Sequence, residues 1–384
     1  MLTIFELIIF WLIFDGPYML YRSLLFFAYN RKITALSKPR ATILIPAYNE
    51  ELSIEKTLRS CIHQSYPNLE IIVINDGSKD STAEIVKNFI LHHRHKNIRL
   101  INQENQGKAR ALNNGLKKAN SEFLITIDAD SYLHHKSVEL LMAKFKSKKV
   151  GAVAGNIVAL SRHKLLGYIQ KMEYEISTHF LRESQSALGA VTVTPGAFSG
   201  YRRSALIKFE EGTLTEDFDS SAKVLDRGYE IIIAVDALCY TQVPLNIIDI
   251  IKQRIRWQQG GIEVFSKHLF ENKRFLVSLE MFLIFFYGFY GLFPKILTFL
   301  ILPLNLYSFN ISTFLFGLLI FLIYFTLIWS IKLAVIGMKD IGYYLIVPLF
   351  LIYWYTIILY SILAAQIMVF KKNKRWGTLQ RYRM

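Results

Sequence analysis

Between residues 40 and 127 the apolar positions keep switching period. Ala41 to Ile45 is a β-rich apolar run, and Pro46-Ala47-Tyr48-Asn49-Glu50 breaks it ahead of an amphipathic helical pattern from about Ser53 to Gln64. Leu69 to Ile74 predicts a second strand, closed by Asn75-Asp76-Gly77-Ser78, with the next helix starting at Ser81. Ile98 to Ile101 predicts a third strand and Lys108 to Ala119 the helix after it. Phe123 to Ile127 predicts a fourth strand that runs straight into Asp128-Ala129-Asp130. This β-α-β-α order predicts an α/β fold, a mostly parallel sheet with helices on both faces.

The flanks read differently. Residues 3 to 28 and nearly everything from Phe275 to Phe370 are apolar, which lifts the 384-residue chain to 52% hydrophobic and leaves only 20% charged. Leu2 to Ala28 reaches the roughly 20 apolar residues a membrane helix needs, although Glu6, Asp15 and Gly16-Pro17 interrupt it. No basic residue precedes this run and no small-x-small site follows, so it is expected to be an uncleaved anchor rather than a signal peptide. Further apolar blocks run from Phe275 to about Tyr307, Ile311 to Ile336 and Tyr343 to Phe370. Ile247 to Phe270 mixes apolar and basic residues at helical spacing, the pattern of an interfacial helix. The expected organisation is an anchor at 1–30, a water-soluble domain at 31–245, an interfacial region at 246–272, a helical transmembrane bundle at 273–370 and a basic tail at 371–384.

The net charge of +15 raises the question of a nucleic-acid partner. Its location answers against one. Arg31, Lys32, Lys38 and Arg40 follow the first apolar segment, and Lys371, Lys372, Lys374, Arg375, Arg381 and Arg383 crowd the C-terminal end. Basic residues beside membrane spans mark the cytoplasmic side, which places the soluble domain and the tail inside and the N-terminus outside a cytoplasmic membrane. The bundle must then cross an even number of times, which favours two passes for the block broken at Gly291 and Pro294. Cys61 and Cys239 are the only cysteines, too few for a disulfide framework.

The candidate chemistry is acidic. No Gly-x-Gly-x-x-Gly follows the first strand, and Gly107-Lys108-Ala109 lacks the other residues of a phosphate loop, so hydride transfer and P-loop chemistry rank low. An Asp-x-Asp at a strand end lets Asp128 and Asp130 share a hard divalent cation while phosphate oxygens fill its remaining positions; alone, a solvated turn is the plainer reading, but its place after an apolar strand beside two similar clusters reverses that. Asp76 and Thr215-Glu216-Asp217 carry the same ambiguity, since turn and helix-cap roles suit them equally. In Gln253-Arg254-Ile255-Arg256-Trp257, Gln253 and Arg256 share a helix face that could hold a diphosphate, and Trp257 offers a flat ring for stacking on a sugar. His92, His93 and His95 are expected to be a solvated basic turn rather than a zinc site. Glu280, Lys295, Lys332 and Gln366 are the main polar groups in the apolar C-terminal region.

Taken together these residues resemble the family 2 glycosyltransferases, specifically the membrane-embedded, processive β-glycan synthases. The likeness covers roughly residues 40 to 272. It is carried in order by Pro46 to Glu50, Asp76-Gly77-Ser78, Gly107 to Asn113, Asp128-Ala129-Asp130, Thr215-Glu216-Asp217 and Gln253 to Trp257. Gln170-Lys171-Met172-Glu173-Tyr174 and Pro195-Gly196-Ala197 look most like the poly-β-1,6-N-acetylglucosamine synthases, with hyaluronan, chitin-oligosaccharide and cellulose synthases as more distant relatives.

The resemblance implies a GT-A-type nucleotide-sugar-binding domain joined to the bundle. It implies that Tyr48, Glu50 and Asp76 hold uridine, with Lys108 near the nucleotide, and that Asp128 and Asp130 position the sugar nucleotide and its Mg2+ or Mn2+. Asp217 would be the general base, Glu216 would shape the acceptor site, Gln253 and Arg256 would bind the diphosphate, and Trp257 would stack on the acceptor sugar. The implied partners are a UDP-sugar donor, a growing glycan or lipid acceptor, the lipid bilayer and, as the family allows, a small membrane helper subunit. Polymerisation of UDP-N-acetylglucosamine into a β-linked exopolysaccharide is the expected activity. Single addition to a lipid acceptor and a non-catalytic membrane transporter or scaffold are the competing readings.

Overall fold

Strand residues here sort by parity onto two cores. A computed structural model describes residues 4–29, 38–94, 96–161, 164–268, 273–287 and 311–370. In β1 (Ala41–Ala47), Ile43 and Ile45 join one hydrophobic cluster while Leu44 joins the other. β2 (Leu69–Asp76) splits likewise, Ile71 and Val73 against Ile72 and Ile74, because successive side chains of a strand point to opposite faces. Both faces are therefore covered, as near-continuous apolar strands require. α2 (Ile54–Ile62) and α3 (Thr82–His92) lie on one side, and α4 (Lys108–Lys118) on the other.

β3 (Ile98–Gln103), β2, β1 and β4 (Phe123–Ile127) run parallel in that order. Beyond β4 the expectation of a mostly parallel sheet fails. β7 (Phe198–Arg202) is antiparallel to both β4 and β6 (Val150–Leu160), β8 (Glu230–Gln242) is parallel to β6, and the three-residue β5 (Ser131–Leu133) closes the edge antiparallel to β8. The sheet is mixed and eight-stranded. The cause lies in the connections: after Asp130 the chain no longer supplies one crossover helix per strand, and a parallel pair needs such a crossover.

The second half adds α5 (Ser137–Met142), α6 (Lys164–Glu175), a π-helical segment Ile176–Arg182 and the short α7 (Glu183–Ser186). α8 (Glu216–Asp226) begins at the Thr-Glu-Asp triplet, and α9 (Ile247–His268) is one continuous helix through the Gln-Arg-Ile-Arg-Trp run. The apolar flanks are helical: α1 (Ile4–Ala28), α10 (Phe275–Phe285), α11 (Ile311–Val335), α12 (Ile341–Tyr353) and α13 (Leu359–Phe370), the last two joined by a π-helical turn at Trp354–Ile358. α13 packs along α9, and α11 and α12 share a third core with Ile169, Met172, Ile176 and Phe180.

Among the described residues one helix, Ile341–Val369, has the length and hydropathy to cross a membrane. The break at Gly291 and Pro294, Lys295 and the basic tail lie outside the described residues. Glu280 is buried and meets a partner the sequence reading did not single out. Arg22 of α1 donates to it at 2.6 Å, and both side chains are fully shielded from solvent. Tyr21 Oη (2.6 Å) and Gln185 Nε2 (3.2 Å) donate to the same carboxylate. Lys332 sits with its ammonium 4.1 Å from the Trp329 ring centroid.

Candidate active site

The parallel strands end at one edge, and the loops there hold each other. Asn49 is the one non-glycine residue with positive φ among those described, and its N–H and side-chain oxygen meet Ser78 Oγ and the Lys79 N–H. The N–H of Glu50 donates to Thr82 Oγ1, and Ser53 Oγ donates to the Glu50 carboxylate at 2.8 Å. Tyr48 is left exposed at the rim. Asp76 ends β2, and Gly77 must follow it: φ is +72° there, and a Cβ would stand 2.7 Å from the Asn105 nitrogen. The Asp76 carboxylate accepts from the N–H groups of Gln106 (2.9 Å) and Gly107 (2.8 Å) and from Gln103 Nε2 (2.8 Å), so it also sets the start of α4.

Lys108, first residue of α4, joins the acidic clusters. Its Nζ lies 2.7 Å from Asp128 Oδ1 and 2.9 Å from Glu216 Oε1. Burial would lower this ammonium, but Asp128, Glu216 and Asp217 outweigh it and raise it, so it stays charged. Asp217 accepts the Gly196 N–H at Oδ2 (2.9 Å) and the Phe218 N–H at Oδ1 (2.9 Å). Gly196 permits the close approach, since a Cβ there would meet Lys108 Nζ at 2.6 Å. Burial raises the Asp217 carboxyl above the ordinary carboxylate range, and Glu216 adds to the rise. Lys108 and the two N–H groups act against it.

Asp130 is nearly buried on the turn between β4 and β5, and Thr57 of α2 fastens that turn by donating to the Ala129 carbonyl at 2.8 Å. Among the described residues no group of three or more His, Cys, Asp or Glu forms a protein-only metal cage. Two hard carboxylates at a strand end fit a cation that takes its other ligands from phosphate and water. Burial, with the charges of Asp128 and Asp130 adding to it, raises the Cys239 thiol well above its ordinary value. Cys61, on the buried face of α2, is pushed up to about 12 by burial.

Trp257 on α9 lies beside Tyr174 of α6. The two rings are 6.5 Å apart, and the Tyr174 hydroxyl is pushed up to about 12 by burial, with Arg254 acting the other way and Glu173, Arg182 and Asp130 also within electrostatic reach. Arg182, at the end of the π-helical segment, in turn feels Asp217. Sequence reading missed Arg182, whose only local signal is a position within a mixed polar helix. It also passed over Arg254, whose Nη1 holds Gln253 Oε1 at 2.6 Å, and whose i, i+3 spacing to Trp257 was a usable signal. Arg256 is half-buried on the same helix. His92 and His93 set Nδ1 against the Asn88 and Phe89 carbonyls of their own helix, at 2.7 and 2.9 Å.

The far end of α9 is tied to the helix that carries Asp217. His268 Nδ1 lies 2.7 Å from Asp226 Oδ2 and its Nε2 3.1 Å from Asp219 Oδ1. Burial would lower its pKa, but the two carboxylates raise it to about 9. The folded value exceeds the unfolded one of about 6.5, so this stabilisation is fully present below about pH 6.5 and is lost as pH rises through about 9. His268→Gln is expected to cost ~2 kcal/mol at about pH 6 and almost nothing above about pH 10, read from denaturant midpoints at the two pH values. A cost that does not change with pH would refute the ionised pairing.

A mixed α/β sheet with carboxylates gathered at the ends of its parallel strands is a GT-A-like glycosyltransferase architecture. A solved mannosyltransferase from Pyrobaculum calidifontis, in complex with GDP-Man and Mn2+, has the same fold, with a TM-score of 0.68 over 94% of this chain and 97% of that one at 19% identity. Residues 42–209 match the family model described as Glycosyl transferase family 2. The chain carries a domain of glycosyltransferase family 2. It is 36% identical over 274 residues to the poly-beta-1,6-N-acetyl-D-glucosamine synthase of Staphylococcus epidermidis, covering 68% of this chain and 66% of that protein. The synthase of the same name from Staphylococcus aureus is 36% identical over 248 residues, 63% of this chain and 60% of that protein. The chain thus spans just under two thirds of the length of the curated relatives it matches.

Proposed function

We propose that the protein is an inverting membrane glycosyltransferase that polymerises UDP-N-acetylglucosamine into a β-linked exopolysaccharide and passes it across the bilayer. The observation that carries this reading is the Asp217 carboxylate, raised by burial and set within the Lys108, Asp128 and Glu216 cluster. Its support from kinship is the 36% identity to the staphylococcal synthases.

In this reading Tyr48, Glu50 and Asp76 hold the uridine and Gln253 and Arg256 hold the diphosphate. Asp217 takes the proton from the acceptor hydroxyl as that oxygen bonds to the anomeric carbon and the bond to the diphosphate oxygen breaks, so configuration inverts. Glu216 and Trp257 orient the acceptor sugar, and Lys108 keeps Asp128 and Glu216 from repelling each other. Asp128 and Asp130 would hold Mg2+ or Mn2+, which neutralises diphosphate charge when bound. Leu319, Ile323 and Leu327 on α11, and Leu345, Leu349 and Ile352 on α12, leave apolar helix faces exposed at i, i+4 or i, i+3 spacing, as lipid contact requires. The soluble domain then lies on the cytosolic face.

The test is a panel of radiolabelled UDP-sugars given to membranes containing the protein with Mg2+ or Mn2+. UDP-N-acetylglucosamine is expected to yield a polymer or ladder. A product stopping at one sugar on lipid would replace polymerisation with single addition, and no UDP release from any donor would defeat the reading.

A further inference from the structure

Trp257 does not stand alone on α9. The Arg254 guanidinium lies 4.2 Å from its ring centroid, a cation–π contact, and Arg254 is almost wholly buried. Its Nη2 pairs with Glu173 Oε2 of α6 at 2.6 Å, its Nη1 holds Gln253, and Nε has no acceptor. The hydroxyl of Tyr353, at the end of α12, donates to the same Glu173 oxygen at 3.2 Å. One carboxylate thus fixes an arginine that touches both Gln253 and Trp257, and a tyrosine from the apolar C-terminal helices completes the joint. Burying such a pair stabilises a fold little, because desolvation offsets the attraction. Its effect is on geometry.

We propose that Arg254 is a positioning residue: clamped by Glu173 and Tyr353, it sets the ring plane of Trp257, so the seating of α12 decides how well the acceptor sugar is received. The inference rests on the reading that Trp257 faces the acceptor. The planar guanidinium suits this role, since it can pair edge-on with a carboxylate while its face covers a ring.

The test uses Glu173→Gln and Tyr353→Phe in the full chain, alone and combined with Trp257→Phe. With an N-acetylglucosamine oligosaccharide as acceptor, acceptor KM is expected to rise about tenfold for Glu173→Gln and about threefold for Tyr353→Phe, with a smaller change in kcat. Both rises should vanish in the Trp257→Phe background, because the residue being positioned is gone. Rises that persist there, or an unchanged acceptor KM, would overturn the proposal. The near-UV circular dichroism band assigned to Trp257, obtained by subtracting the Trp257→Phe spectrum, should weaken in Glu173→Gln; an intact band would also overturn it. That band needs no turnover, so a failed transferase reading and a failed positioning role are told apart. Should Glu173→Gln not fold, Tyr353→Phe, which removes one hydroxyl, carries both readouts.

Discussion

Asp217→Asn is expected to lower turnover about 10³-fold while leaving UDP binding within a factor of about two. Asparagine keeps the size of the side chain and one oxygen for either the Gly196 or the Phe218 N–H, but its amide nitrogen can accept neither the other N–H nor a proton from a hydroxyl. The comparison is UDP release against calorimetric UDP affinity. In the unsubstituted protein the raised pKa of Asp217 places the acidic limb of the rate profile above the ordinary carboxylate range, since the base works only when ionised. Near-normal turnover in the variant would remove Asp217 from the role of base, and a limb lying within the ordinary range would contradict the burial argument.

Glu280→Ala is expected to cost about 3–5 kcal/mol, the largest stability loss among the substitutions considered. The change strands the Arg22 guanidinium between α1 and α10 with no carboxylate, and Tyr21 and Gln185 lose the same acceptor. Arg22→Met combined with Glu280→Met should recover most of the loss, because two apolar side chains remove both desolvation penalties together. Thermal unfolding in detergent reads both variants. A loss below about 1 kcal/mol for Glu280→Ala would mean that the pair is exposed to water in the working protein.

Those two cases also separate what could be read in the chain from what could not. β1 to β4 were visible to within two residues at each end, because each is a dense apolar run closed by punctuation such as Pro46 to Glu50 or Asn75 to Ser78. Asp76 and Asp128-Ala129-Asp130 were visible for the same reason, since a strand that ends in carboxylates breaks its own pattern, whereas Thr215-Glu216-Asp217 opens α8 and showed only as acidic residues at a helix start. β5 was hidden by its three-residue length, and the antiparallel β7 by a sequence that alternates too briefly to show a period. What joins the clusters was not local at all. Lys108, Asp128 and Glu216 are distant in sequence, and only the shared sheet edge brings them into ion-pair range. Arg22 did leave a trace: a lone arginine in one apolar segment and a lone glutamate in another are costly apart, so each implies the other.

The two native thiols are sealed under strands and helices, and burial holds both in the protonated, unreactive form. No endogenous cysteine competes for an alkylating reagent while the protein stays folded. A single cysteine introduced at any surface loop would then be the sole target of a bilayer-impermeant maleimide. The sidedness of each loop could be mapped one position at a time in intact cells, with Cys61 and Cys239 left in place.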